Sequence, residues 1–305
     1  MTDHWTPNLI PDLTGTNAVV TGATSGLGKQ TARVLAQKGA AVILAVRNTA
    51  KGETVAKELR DENPSANLTV EALDLADLAS VQAFAERMEA LPRLDLLVNN
   101  AGVMIPPFGR TKDGFELQVG TNHLGHFALT GLMLPKLQAT KGSRLVVLAS
   151  IAHKFGKIDL DDLNWESRSY KGSRAYADSK QANLLFMTEL VRRLDGQGPR
   201  VTAAHPGWTA TELQRHSGPT EFLNRFFAQS VEMGTQPSLR AAFDPEARNG
   251  DYFGPAKRFE TVGPPMSAPI KPTARDPQTA ARLWTLSEEL TGVTYDLKHS
   301  AEPAA

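Results

Sequence analysis

The chain has 305 residues, 33 Lys and Arg against 33 Asp and Glu, and no cysteine. Balanced charge gives no reason to expect nucleic acid or an anionic membrane as partner, and the missing thiols exclude disulfides, thiolate catalysis and cysteine-ligated zinc. No apolar run approaches the roughly 18 residues of a membrane span, and the polar stretch 1–12 carries no secretory signal pattern, so a cytoplasmic protein with no integral membrane segment is expected.

Residues 1–14 read as an irregular tail. Ala18-Val19-Val20 is a short apolar strand feeding a glycine-rich turn, Gly22-Ala23-Thr24-Ser25-Gly26-Leu27-Gly28, which opens a helical pattern to about Lys38. Strand and helix signals then alternate: strand 41–46, helix 49–60, strand 68–73, helix 78–90, strand 94–98, a long helix 115–138, strand 144–148, helix 176–194 and strand 201–204. Such alternation implies an α/β fold, a Rossmann-type doubly wound parallel sheet with helices on both faces. Nothing repeats and no low-complexity linker divides the chain, so residues 1–305 are taken as a single domain. Residues 212–233, with Leu213, Phe222, Phe226 and Phe227, are expected to cover a substrate as a lid. Residues 255–276, with Pro264, Pro265, Pro269 and Pro272, are expected to form a stiff surface loop before a last helix 277–290.

In open α/β sheets the ligand lies beyond the carboxyl ends of the strands. Polar residues and glycines gather there: Gly22 to Gly28, Arg47, Asp74, Asn99 to Gly102, Ser150 and Pro206 to Thr211 each follow an expected strand. In the first turn Gly22 permits the sharp bend, Gly26 a close approach to a pyrophosphate, and Gly28 close packing of helix on strand. The helix N-terminus there, with Thr24, Ser25 and Leu27, offers N–H groups and partial positive charge to phosphates. The second strand ends at Val46, and the next residue is Arg47, with Lys51 a turn further on. An acid that would bond a ribose 2′-hydroxyl is missing, and two cations that suit a 2′-phosphate stand in its place, so NADP(H) is expected over NAD(H). Asp74 and Leu75 would border the adenine, and Asn99, Ala101 and Gly102 the wall of the nucleotide site.

Thr21-Gly22-x-x-x-Gly26-x-Gly28, Asn99-Asn100-Ala101-Gly102, Tyr176-x-x-x-Lys180 and Pro206-Gly207, in this order, resemble the short-chain dehydrogenases/reductases over roughly residues 14–295. The stretches 121–127, 150–156 and 283–292 are similar to the retinol-dehydrogenase-like branch, which also holds WW-domain oxidoreductases and protochlorophyllide-reductase-like proteins. The interval from Ser150 to Tyr176 is about twice the family's usual one, as in that branch. The resemblance implies a catalytic set of Ser150, Tyr176, Lys180 and Asn122. Tyr176 would be the acid/base, with Lys180 lowering its pKa from about 10 and holding the nicotinamide ribose. Ser150 would orient the substrate oxygen, and Asn122 would hold a water relaying protons from Lys180. Pro206, Gly207, Thr209 and Thr211 would border the nicotinamide.

The activity so implied is hydride transfer between NADP(H) and a small hydrophobic carbonyl or alcohol substrate. A protochlorophyllide reductase would use a cysteine proton donor, which this chain lacks. A non-catalytic NADP(H)-binding scaffold would predict a broken catalytic set. His123 and His126, three residues apart without a nearby acid, read as packing residues and not as metal ligands. Relatives pair through the helices corresponding to 115–138 and 176–194, which implies a homodimer or homotetramer unless the C-terminal part covers that face.

Overall fold

The computed structural model describes residues 5–209 and 228–297. Its centre is one eight-stranded sheet, ordered β3-β2-β1-β4-β5-β6-β7-β8. In chain order the strands are β1 Asn17–Thr21, β2 Ala41–Val46, β3 Leu68–Ala72, β4 Leu96–Asn99, β5 Arg144–Leu148, β6 Arg200–Ala204, β7 Tyr252–Lys257 and β8 Val262–Ser267. All neighbours pair in parallel except β7 with β8. The sheet order reverses between β1 and β4, so the loops after these strands open a crevice at their carboxyl ends.

The helices are α1 Gly26–Gln37, α2 Thr49–Glu62, α3 Leu78–Met88, α4 Leu117–Val119, α5 Gly125–Ala139, α6 Gly172–Leu194, α7 Val231–Phe243 and α8 Pro277–Thr291. Alternate side chains of each strand face opposite sides. Val19, Ile43 and Leu97 join Phe127 of α5 and Phe186 of α6 in one core. Val20, Leu44 and Val98 join Leu35 of α1, Val55 of α2 and Leu239 of α7 in the other.

Three expectations need correction. Residues 1–14 are not wholly a tail, because Trp5, Ile10 and Leu13 are buried in the second core. Much of the expected proline-rich loop is the β7–β8 hairpin. Its Pro264 and Pro265 sit in β8, the edge strand, and Pro255 sits in β7 beyond the residues that pair with β6, where a missing N–H costs least. The end of the expected lid is the first turn of α7, capped by Ser230, whose Oγ accepts from Met233 N–H at 3.3 Å. Residues 212–227 of that lid, and Thr211, lie outside the described residues.

The helix expected over 115–138 is three pieces, with a π-helical stretch Gly120–Leu124 between α4 and α5. Such a widened turn displaces side chains relative to a regular helix and is common at functional sites. Here it carries Thr121 and Asn122. Helix α8 packs on α5 and α6, the helices through which the resemblance implies subunit pairing. Trp284 of α8 stacks on Phe186 at 5.9 Å and meets Phe127 edge-on at 5.1 Å.

Candidate active site

A cleft of about 480 Å³ opens at the carboxyl ends of β1, β2, β4, β5 and β6. It is lined by Gly22, Thr24, Ser25, Gly26, Leu27 and Gly28 from the first turn, by Arg47 and Lys51 after β2, and by Asp74 and Leu75 after β3. Ala101 and Gly102 after β4, Ser150 after β5, Tyr176 and Lys180 of α6, and Pro206, Gly207 and Thr209 after β6 complete the expected set.

The glycine spacing has a local cause. Gly22 turns off β1 with φ of +68°, and a Cβ on Gly28 would collide with the Gly22 carbonyl and the Asn100 amide. Residues with side chains would push α1 away from the strand. The Ser25 side chain does not cap the helix, so the N-terminal N–H groups of α1 face the cleft without that partner. A glycine cradle beneath a helix N-terminus fits a pyrophosphate. At the next strand end, exposed Arg47 has no ion-pair partner among the described residues. Asn48 caps α2 by accepting from Lys51 N–H at 2.9 Å, which sets the start of that helix beside Arg47. Asp74 uses one carboxylate oxygen to hold its own turn, accepting from Ala76 N–H at 3.0 Å.

Asn99 is not a wall of the cleft. It is buried and its Nδ2 donates to Thr130 of α5 at 2.9 Å. Period-two alternation decides this, since Leu97 faces the α5 side and Asn99 must follow it. The cleft side falls to Asn100, whose Nδ2 donates to Thr21 O at 2.7 Å. Thr21 Oγ1 in turn accepts from the N–H groups of Asn100 and Ala101, each at 2.9 Å, and lies 2.9 Å from His126 Nε2. Alternation along β4 could have found Asn100. Met104 and Thr121 also line the cleft and had no such signal.

Helix α6 starts at Gly172, a turn earlier than expected, so Tyr176 stands inside the helix and not at its start. The interval before it is anchored by Tyr170, which donates to buried Glu116 at 2.9 Å, and by Asn164, which accepts from Glu116 N–H at 3.0 Å. Lys180 Nζ donates to Leu148 O at 3.2 Å, and Asn183 donates to the same carbonyl at 2.9 Å. These bonds fix α6 against the end of β5, from which Ser150 projects. Ser150 caps the following turn through Ala152 N–H at 3.2 Å, and it also hydrogen-bonds Tyr176.

Burial pushes the Tyr176 hydroxyl up from its ordinary pKa, and the Ser150 hydrogen bond only partly opposes this. Burial thus acts against the lowering expected from Lys180, whose ammonium stands 5.8 Å from the ring centroid. Burial acts on Lys180 too and brings it down to about 8.

Asn122 is fully buried and its amide is already used. Its Oδ1 accepts from Val103 N–H at 2.8 Å, and its Nδ2 donates to Val103 O at 3.0 Å and to Ser179 Oγ at 2.9 Å. A water relay through both amide hydrogens is thus closed. His126 binds the Asn122 carbonyl at 3.1 Å, and His123 binds Ser287 at 2.9 Å. Burial keeps both imidazoles neutral, at about 3 for His123 and about 4 for His126.

A doubly wound sheet with a glycine cradle, a strand-end serine and a Tyr-x-x-x-Lys helix defines a nucleotide-dependent oxidoreductase fold. The short-chain dehydrogenase family model matches residues 16–221, and the chain belongs to that family. Human retinol dehydrogenase 13 is 44% identical over 92% of this chain and 85% of its own, and human retinol dehydrogenase 12 is 43% identical over 93% and 89%. These relatives place the chain in the retinol-dehydrogenase-like branch, as an oxidoreductase acting on CH–OH donors. An uncharacterised protein from Mycobacterium paratuberculosis superposes with TM-score 0.82 at 42% identity, covering 96% of this chain and 99% of that one. A short-chain dehydrogenase from Shigella flexneri complexed with NADP gives TM-score 0.64 at 26% identity over 79% and 97%. Among the described residues no helix is long and apolar enough to cross a membrane.

Proposed function

We propose that this protein is an NADP(H)-dependent oxidoreductase that interconverts a hydrophobic carbonyl compound and its alcohol. One arrangement carries the reading: Ser150, Tyr176 and Lys180 stand at one end of a single cleft whose other end holds Arg47 and Lys51. The first end suits a reacting carbonyl, and the second a 2′-phosphate. The names of the curated relatives, retinol dehydrogenases 12 and 13, make retinoids the first substrates to try. The NADP in the Shigella structure supports the cofactor.

The residues fit the cofactor. The turn from Gly22 to Gly28 and the N-terminus of α1 would hold its pyrophosphate, Arg47 and Lys51 its 2′-phosphate, and Lys180 its nicotinamide ribose. Asp74 and Leu75 would border the adenine, and Pro206, Gly207 and Thr209 the nicotinamide. When bound, it supplies or accepts the hydride. The chain's own work is on the proton. Ser150 holds the substrate oxygen by a hydrogen bond. Tyr176, kept protonated by burial, donates to that oxygen as it gains charge during reduction. Lys180, balanced near neutrality by its own burial, restores the tyrosine proton, and in alcohol oxidation the transfers run in reverse.

The reading is tested by following NADPH oxidation against a panel of hydrophobic aldehydes, ketones and retinoids, with NADH alongside. Turnover in the wild type that Tyr176→Phe abolishes, while NADPH binding survives, is the expected result. A Tyr176→Phe enzyme turning over at the wild-type rate removes Tyr176 from the acid role.

A further inference from the structure

The turn at the nicotinamide end is held from behind by a second element. His205, the last residue before Pro206, is completely buried. Its Nδ1 accepts from Gly207 N–H at 3.3 Å, and its Nε2 stands 3.2 Å from Glu260 Oε2, a close polar contact outside hydrogen-bond geometry in which neither atom has another partner among the described residues. Burial keeps the imidazole neutral, so it has one proton to place. A proton on Nε2 faces the carboxylate and leaves Nδ1 as acceptor for Gly207. The other tautomer would set N–H against N–H and leave Glu260 Oε2 without a proton facing it.

Glu260 is presented in an uncommon way. It ends the run Arg258, Phe259, Glu260 at the tip of the β7–β8 hairpin, whose φ angles are +50°, +58° and +64°. Left-handed backbone disfavours residues with a Cβ, and three in succession persist only where the surroundings fix them. The fixing contacts are present. Lys154 Nζ lies 2.5 Å from Glu260 Oε1, and Trp208 N–H donates to Thr261 O at 2.7 Å. Gly207 itself has φ of +65°, and a Cβ there would collide with the Thr261 carbonyl. The hairpin tip and the Pro206-Gly207 turn are therefore joined twice, once through backbone and once through Glu260 and His205.

We propose that Glu260 is a positioning residue for the nicotinamide end of the cleft, acting through His205 on the Gly207 N–H. The proposal deepens the function proposed above and rests on its assignment of that end. Glu260 touches neither substrate nor cofactor in this role. It selects the His205 tautomer and thereby the orientation of the turn against which the nicotinamide would rest.

The test compares Glu260→Ala with Glu260→Gln. The glutamine retains an oxygen that accepts from Nε2–H, and the alanine retains nothing. For each enzyme one measures KM for the cofactor that the wild type turns over, NADPH or NADH. One also measures the dissociation constant of the matching fragment without nicotinamide, 2′,5′-ADP or ADP. Glu260→Ala should raise the cofactor KM about tenfold, as the loss of one buried polar contact to a carboxylate predicts. Glu260→Gln should stay within about twofold of wild type on the same principle, and fragment binding should be unchanged in both. The proposal is overturned if Glu260→Ala matches wild type, if the two variants are equally impaired, or if fragment binding falls in parallel. Wild-type preference for 2′,5′-ADP or ADP reports separately on Arg47 and Lys51.

Discussion

Asn122 and Val103 bond each other as neighbouring strand residues do, with Val103 N–H donating to Asn122 Oδ1 at 2.8 Å and Asn122 Nδ2 donating back to Val103 O at 3.0 Å. The same amide reaches Ser179, which lies between Tyr176 and Lys180 on α6. One side chain thus fixes the loop after β4 and helix α6 together. Asn122→Leu keeps the bulk and strands both backbone groups of Val103, so stability should drop by about 2–3 kcal/mol. The shift of α6 should lower kcat by roughly tenfold or more. Urea denaturation and steady-state kinetics on one preparation would check both, and a fully active, equally stable variant would contradict the clamp.

Arg47 is the cation at the end of β2. Arg47→Ala should weaken NADPH by about 1–3 kcal/mol, the range for a lost charged hydrogen bond, and leave NADH nearly unchanged. Isothermal titration with both nucleotides reads this directly. Equal losses would remove Arg47 from cofactor selection.

Lys180 is brought down to about 8 by burial, while Tyr176 is held above its ordinary value. Below pH about 8 the lysine is charged and can return a proton, and above it the neutral amine can accept one. The free-enzyme profile of kcat/KM for alcohol oxidation should therefore rise through pH about 8, and that for carbonyl reduction should fall over the same interval. Flat profiles between pH 7 and 9 would exclude Lys180 as the proton partner.

His123 and His126 are neutral in the fold, at about 3 and about 4, against an ordinary value of 6.5. The unfolded chain takes up protons below 6.5 that the folded chain refuses. The stability these two contribute is full above 6.5 and is lost as pH falls towards their folded values. Between pH 7 and 5 the pair should cost about 4 kcal/mol. Denaturation midpoints at the two pH values measure it, and His126→Asn should remove about half of the slope. An unchanged wild-type midpoint would show that these imidazoles protonate inside the fold.

The parallel sheet and the crevice were legible because buried parallel strands write short apolar runs, and their ends write glycine and polar residues. The Gly22 to Gly28 turn, Arg47 and Ser150 stand at strand ends, which brings them to one cleft, and Tyr176 and Lys180 share one helix face that the family resemblance assigned to the same cleft. Asn99 and Asn100 are adjacent, and only the phase of β4 separates them. The β7–β8 hairpin was hidden because proline suggests loop, and edge strands tolerate it. Sequence spacing shows a lysine near Tyr176 but not how deeply both groups are buried, and burial raises the tyrosine pKa.

Helix α8 has a consequence for how the enzyme behaves on dilution. Trp284, Leu283 and Ala280 supply, from the same chain, the apolar surface that α6 needs on its outer face. A neighbour tethered in sequence cannot dissociate as a second molecule can. The alignment of Tyr176 and Lys180 should therefore not follow protein concentration, as it would if that face were completed by mass action. Helix α6 should be supported at nanomolar as well as at millimolar protein.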